Sequence, residues 1–306
     1  MLSFIRFVSV ILIFAINLQA QYGDDRHRRI SLLDANNIQT IFSNTGIFSN
    51  HQLFRGTWKG THNSYFGDNS ILIGVQLPIK DYNNDGSLDT LTPVIITPVS
   101  RPGGGNFPTG GGNHWGFEPV PGFFNLLNPD TLRQIALSNY PITWPNRWPD
   151  QPTWGSNVWN GLFGPNAFVG KQEAYFVIDD SRDEDMFRRF GFLPDSTNPT
   201  RKGYGIRVSV RYVQLDKPLF KDILFRIYDI KNESLFNYSK VVFGKLCGTY
   251  IGGYGDEWND EASLFYPKDN IIITQDFEPS MNGAPLVRTS ANDRWRGRVG
   301  KFAERS

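Results

Sequence analysis

Between Gly205 and Leu215, the apolar residues Ile206, Val208, Val210 and Tyr212 alternate with Arg207, Ser209 and Arg211. Side chains on a strand point to opposite faces in turn, so a period of two fits a strand with one buried face. A helix cannot share that pattern. Residues 172–178, 220–230, 238–247 and 270–277 read as further strands, at spacings that allow antiparallel neighbours. Upstream, residues 71–77 and 90–99 are strand-like runs rich in Ile, Leu, Val and Thr. Aromatic residues make up 14% of the chain, and they favour strands. The expected fold is mainly β: an antiparallel β-sandwich with long aromatic and Gly-rich loops and one short helix. The helix is expected over 128–136, where Asn128 can cap, Pro129 takes the first position, and Leu132, Ile135 and Ala136 share a face.

Two stretches resist regular structure. Residues 101–112 read RPGGGNFPTGGG, a glycine-rich loop with no apolar period. Residues 140–168 hold Trp144, Trp148, Trp154 and Trp159, and the prolines 141, 145, 149, 152 and 165 exclude a continuous strand or helix there. The expected organisation follows: a signal segment (1–20), an N-terminal β-rich part (21–139), a Trp/Pro-rich connection (140–170), a β-sandwich part (171–283) and a basic tail (284–306).

The first twenty residues, MLSFIRFVSVILIFAINLQA, place Arg6 before an apolar core and end on a short polar exit. They read as a secretory signal cut after Ala20, with an uncleaved membrane anchor as the alternative. The mature chain is expected to carry no membrane span. The chain has 31 basic and 30 acidic side chains, and losing Arg6 equalises them. A neutral chain exerts no general pull on nucleic acid. Cys247 is the only cysteine, so no internal disulfide can form; lying in the strand-like run 241–247, it is expected to be a buried, inert thiol. Asn232 and Asn237 head matches to the N-glycosylation pattern and are read as turn residues.

Residues 144–150 (WPNRWPD), 159–164 (WNGLFG), 172–180 (QEAYFVIDD), 228–234 (YDIKNES) and 240–244 (KVVFG) resemble a family of uncharacterised exported bacterial proteins. Members of that family are β-rich surface or secreted chains that often end in a type IX secretion sorting domain. The resemblance spans roughly residues 38–278. It implies an extracellular or cell-surface address and sandwich modules, and it brings no catalytic residues. No such sorting domain is expected within residues 1–306. Its last segment sets Arg288, Arg294, Arg296, Arg298, Lys301 and Arg305 against Asp293 and Glu304, a departure that a truncated or frameshifted reading frame would explain.

Candidate chemistry is sparse. Asp81, Asn83, Asp85, Gly86 and Asp89 occupy calcium-loop positions, with Ser87 placed to offer a backbone carbonyl. Thr92 stands where that loop needs a carboxylate, and Asp85-Gly86 is equally a hairpin corner. Bound Ca2+ is expected to be structural. The acidic runs 179–185 and 256–261 read as solvated loops, with a second calcium site as the alternative. Trp144, Trp148, Trp154 and Trp159 read as packing residues first and as a sugar-stacking platform second. The glycine-rich loop lacks the Lys and Ser/Thr of a phosphate loop. The histidines 27, 51, 62 and 114 form no metal-binding pair, and no nucleophile motif occurs. The expected function is therefore an exported, non-catalytic structural or interaction protein with a glycan or another surface protein as partner. The alternative is a carbohydrate-binding module or glycan-active enzyme.

Overall fold

The computed structural model describes residues 22–49, 54–61, 63–81, 83–96, 115–252, 262–269 and 271–275. The signal segment, the glycine-rich loop, the acidic run 256–261 and the basic tail lie outside them. Eight strands come first: β1 (Ile30–Leu33), β2 (Ile38–Ser43), β3 (Gly56–Trp58), β4 (Ser64–Phe66), β5 (Asn69–Val75), β6 (Leu77–Lys80), β7 (Asp89–Leu91) and β8 (Val94–Ile96). Nine follow: β9 (Glu118–Pro119), β10 (Asn160–Gly161), β11 (Gly164–Pro165), β12 (Gln172–Asp179), β13 (Ile206–Gln214), β14 (Leu224–Asn232), β15 (Val241–Cys247), β16 (Ala262–Tyr266) and β17 (Ile271–Gln275). One α-helix, α1 (Asp185–Phe190), separates β12 from β13. The chain is mainly β, and all strand pairs among the described residues are antiparallel.

One sheet runs β14–β13–β12–β9. A second runs β15–β5–β8, and bridges at Phe42–Phe48 and Phe48–Asn69 link it to β1 and β2. Strands from both sides of the Trp/Pro-rich segment share sheets, since β5 pairs with β15 and β9 with β12. The alternation in β13 sets its inward row: Ile206, Val208, Val210 and Tyr212 are all buried. They join Phe176 and Ile178 of β12 and Ile71, Ile73 and Val75 of β5 in one core. Its centre is aromatic. The Tyr212 ring meets Phe42 edge-on at 5.2 Å, Phe48 at 5.4 Å and Phe176 at 5.7 Å, the geometry that ring quadrupoles favour.

Strand β12 differs from its neighbours because all eight of its residues are buried. Ala174, Phe176 and Ile178 face the shared core, while Tyr175 and Val177 face a second cluster with Val120, Phe123, Ala136 and three tryptophans. A continuous apolar run suits a strand covered on both faces.

The expected helix over 128–136 does not form. Asn128 and Asp130 turn their side chains back on the backbone: Asn128 Oδ1 accepts from Asp130 N, and Asp130 Oδ1 from Leu132 N and Arg133 N. Beyond that turn the chain is extended. Leu32 N donates to Leu132 O and Gln134 N to Ile30 O, while Tyr175 N donates to Ala136 O. Ile135, Ala136 and Leu137 are consecutive and fully buried, which a half-exposed helix cannot achieve. The spacing that resembled a helical face belongs to a segment threaded between β1 and β12.

Two other expectations change. The run 90–99 breaks at Thr92-Pro93 into β7 and β8. Cys247 is exposed rather than buried, because β15 pairs with β5 on one side and has no strand on the other among the described residues. Partial burial still pushes its thiol pKa up, so it keeps its proton. The short helix that does form, α1, starts on the acids Glu184 and Asp185, pairs them with Arg188 and Arg189 one turn on, and ends at a left-handed Gly191.

Truncating Phe176 to Ala should cost about 3–5 kcal/mol in a denaturant melt, since both sheets lose a ring that neither can replace. A loss below about 1 kcal/mol would contradict the shared core.

Candidate functional site

The outer face of the β12–β13–β14 sheet positions the site. Tyr175 sits opposite Arg211, and Arg211 opposite Ile227. Across that row exposure climbs from 7% at Tyr175 and 5% at Arg211 to 37% at Ile227. The Trp/Pro-rich segment covers β12 and much of β13 and stops short of β14. A cleft of about 430 Å³ opens where the cover ends. Its floor is Tyr175, Ser209, Arg211, Ile227 and Asp229; its wall is Asp150, Gln151 and Trp154 with the small β10–β11 hairpin.

The wall is held by tryptophans. Trp144, Trp148 and Trp159 are buried, with Trp148 meeting Trp159 edge-on at 5.7 Å. Trp148 Nε1 donates to Val158 O at 2.6 Å, and Trp144 Nε1 to Leu137 O at 2.6 Å. Three of the four tryptophans singled out in the sequence are thus packed inside the protein, Trp148 and Trp144 with their indole N–H hydrogen-bonded and Trp159 Nε1 buried without a partner. Trp154 alone is half-buried, and it lines the cleft.

Two carboxylates organise the wall and the floor, Asp150 exposed and Glu173 buried. Asp150 accepts from the Tyr175 hydroxyl at 2.5 Å and from Asn160 Nδ2 at 3.0 Å. Burial, with the Asp150 charge beside it, pushes the Tyr175 phenol well above its usual pKa. Glu173, fully buried, accepts from Val169 N at 2.6 Å and pairs with Arg211 Nη1 at 3.3 Å. Arg211 also donates to Asn160 O at 2.7 Å and lies 4.5 Å over the Tyr175 ring. Its charge is therefore committed. Asp229 is exposed and has no hydrogen-bond or ion-pair partner among the described residues. The cations beside it are held by Glu233, which takes Arg201 at 3.1 Å, Lys231 at 3.0 Å and Arg207 at 3.5 Å.

The acidic run 179–185 is not the solvated loop its composition suggests. Asp179, Asp180, Ser181 and Asp183 are buried. Asp180 accepts from Tyr204 N at 2.7 Å and Ile206 N at 2.9 Å, and Asp183 from Gly116 N at 2.6 Å. Asp179 Oδ1 accepts from Gly23 N at 2.8 Å and from Ser181 Oγ at 2.6 Å. These carboxylates serve as acceptors for backbone that has no strand partner. Burial raises both Asp179 and Asp180 above the usual carboxylate range. Gly203 belongs to the same knot: its φ is +70°, and a Cβ there would lie 2.2 Å from Asp180 O. Glu118, also buried, is gripped by the Arg28 guanidinium through both oxygens.

Residues 81–89 form the β6–β7 hairpin turn, described apart from Tyr82. Asp81 accepts from Asp85 N at 3.2 Å and Gly86 N at 2.9 Å, and Asp85 Oδ1 accepts from Ser87 N at 2.8 Å. Asn83 Nδ2 donates to Asp85 Oδ2 at 3.0 Å. Asn84 and Gly86 take positive φ, as the tight corner requires. Among the described residues no three His, Cys, Asp or Glu side chains gather as a metal cage. Asn232 is the last residue of β14 and opens the turn that follows, accepting from Ser234 N at 2.9 Å. The cleft itself, with Asp150, Arg211 and Asp229, was not legible as a site in the sequence; Asp150 could be read only as the end of a Trp–Pro run.

No family model, no curated protein and no solved structure matches this chain.

The Arg28–Glu118 pair makes a pH-dependent prediction. Burial holds the Glu118 carboxyl above its usual range, with Arg28 opposing. A folded-state pKa above the unfolded one gives stability that is present in acid and lost as pH rises through the raised value. Arg28→Ala should raise that value further, costing about 3 kcal/mol near neutrality, the low end for breaking a buried pair because Arg28 is 25% exposed. The deficit should shrink in acid, where Glu118 is protonated. Urea melts across the carboxylate range would show it, and a deficit independent of pH would contradict the assignment.

Proposed function

We propose that this chain is an exported, non-catalytic β-sandwich protein acting as a structural or interaction component outside the cell or at its surface. One observation carries the reading: the residues richest in chemistry are consumed by the fold. Asp179, Asp180 and Asp183 accept backbone N–H groups, Glu173 and Glu118 pair with buried or half-buried arginines, and three tryptophans are core. The signal-like segment 1–20 and the family resemblance support the extracellular address. Among the described residues no helix is long and apolar enough to cross a membrane. Export is tested by N-terminal sequencing of secreted material, which should begin at or near Gln21. An intact Met1 in a cytosolic fraction would overturn it.

A second reading, carbohydrate binding, is favoured by one feature. Trp154 is half-buried at a cleft that also presents Asp150, Gln151, Ser209 and Asp229. Flat aromatic faces complement sugar C–H faces, and side-chain acceptors take sugar hydroxyls. The four-tryptophan platform reduces to that single ring.

Calcium at the 81–89 turn is the proposed structural cofactor. Asp81, Asn83, Asp85 and Asp89 supply side-chain oxygens, Ser87 a carbonyl, and water fills the position that Thr92 leaves without a carboxylate. A weak extracellular site, with Kd roughly 10⁻⁴ to 10⁻³ M, suits such a ligand set. Ion binding to the folded state alone adds about 1.4 kcal/mol at tenfold saturation. Millimolar calcium should therefore raise Tm modestly, and Asp85→Ala should diminish the rise. An unchanged Tm for the unsubstituted protein would leave Asp85-Gly86 a hairpin corner only.

A further inference from the structure

We propose that the cleft between the Trp/Pro-rich segment and β14 binds a sugar unit carrying a free amino group. The proposal rests on the carbohydrate reading above and adds the charge of the ligand. Two carboxylates, Asp150 and Asp229, line the cleft, and Arg211 is its one cation. Arg211 is neutralised at 3.3 Å by Glu173, which lies fully buried behind it. The cleft therefore presents uncompensated negative charge. An acidic sugar would bring a second anion to a site with no free cation to receive it.

Asp229 sets the preference. It stands opposite Ser209 in the β13–β14 register, next to the Arg211–Ile227 pair. The basic residues along the same face, Lys231 and Arg207, are drawn off to Glu233 at 3.0 and 3.5 Å. A carboxylate left without a counter-charge at the floor of a cleft suits an incoming ammonium. Trp154 adds a ring face, which attracts both a cation and the C–H face of a pyranose. Asp150 already accepts from Tyr175 and Asn160; those bonds fix its orientation toward ligand hydroxyls. Gln151 adds an amide. A lysine side chain would use the ammonium site and leave these hydroxyl partners idle, and about 430 Å³ exceeds what one linear side chain fills.

The test is isothermal titration of the full chain with a fully deacetylated glucosamine tetramer and with its N-acetylated counterpart of the same length and linkage. The deacetylated tetramer should bind roughly tenfold more tightly, the difference expected for one charge-assisted contact. Asp229→Asn, a change at an exposed position, should erase that preference and leave Tm unaltered. Trp154→Ala should weaken both ligands. If both tetramers bind equally, or Asp229→Asn keeps the preference, the amino-group assignment falls while carbohydrate binding stands. If neither binds, both fall. Displacement of the sugar by a tetralysine peptide at equal concentration would overturn the assignment in favour of a basic peptide.

Discussion

Covering β12 on both faces is the constraint on which the remaining structure depends. A strand with eight buried residues needs a layer on each side, and a sheet supplies only its own. The second sheet covers one face with Ile71 and Ile73, and β2 beside it adds Phe42. Among the described residues no sheet covers the other. The prolines of residues 140–168 prevent a long strand there, leaving only the two-residue strands of the β10–β11 hairpin, so the cover is a mostly irregular loop that achieves density with tryptophan rings rather than with a regular lattice of side chains. The irregular segment is as essential to the core as any strand.

Burying both faces also buries both ends, where backbone would otherwise lose water without gaining partners. The polar residues flanking β12 answer that cost. At one end Gln172 accepts from Asp34 N at 2.9 Å and Glu173 from Val169 N. At the other, Asp179 and Asp180 take the N–H groups of Gly23, Tyr204 and Ile206. Four side chains thus tie four separate loops to one strand. Replacing such a group is costly because the donor it leaves behind is buried, and an unmet buried donor loses about 1–3 kcal/mol. Desolvation raises Asp179 and Asp180 for the same reason: a ligand for backbone amides inside the protein is a poor home for full charge.

The sequence made the strands legible wherever one face met solvent. Ile206 to Tyr212 could be read because Arg207 and Ser209 marked the opposite face; Ile206–Gln214 is the strand observed. Reading failed where burial removed the polar half of the pattern. Ile135, Ala136 and Leu137 carry no face at all, and Asn128 and Pro129 supplied cap-like signals to a segment that uses them for a side-chain turn. The run Asp179 to Asp185 failed for the opposite reason. Acidic composition predicts solvent, whereas its carboxylates are consumed by long-range backbone partners up to 156 residues away. Local composition has no access to such partners. The cleft was invisible on the same grounds, since Asp150, Arg211 and Asp229 meet only through the β12–β13–β14 register and the loop above it.

The cleft follows from the same cover. Tryptophans pack best where a flat apolar strand lies beneath them, and Val177 and Tyr175 provide that on β12. One strand further out, Arg211 meets the edge of the tryptophan layer and needs Glu173 and Asn160 O to be accommodated. Two strands out, Ile227 and Asp229 are exposed and the loop has nothing to pack against. The polar groups gather where apolar packing runs out, at the boundary between a layer that must stay closed and an edge strand that stays open. A ligand seated there borrows a rigid floor from the sheet and a rigid wall from the buried tryptophans. Little of its binding energy would then go into ordering the site, and a shallow contact area would suffice for the proposed discrimination by one charge.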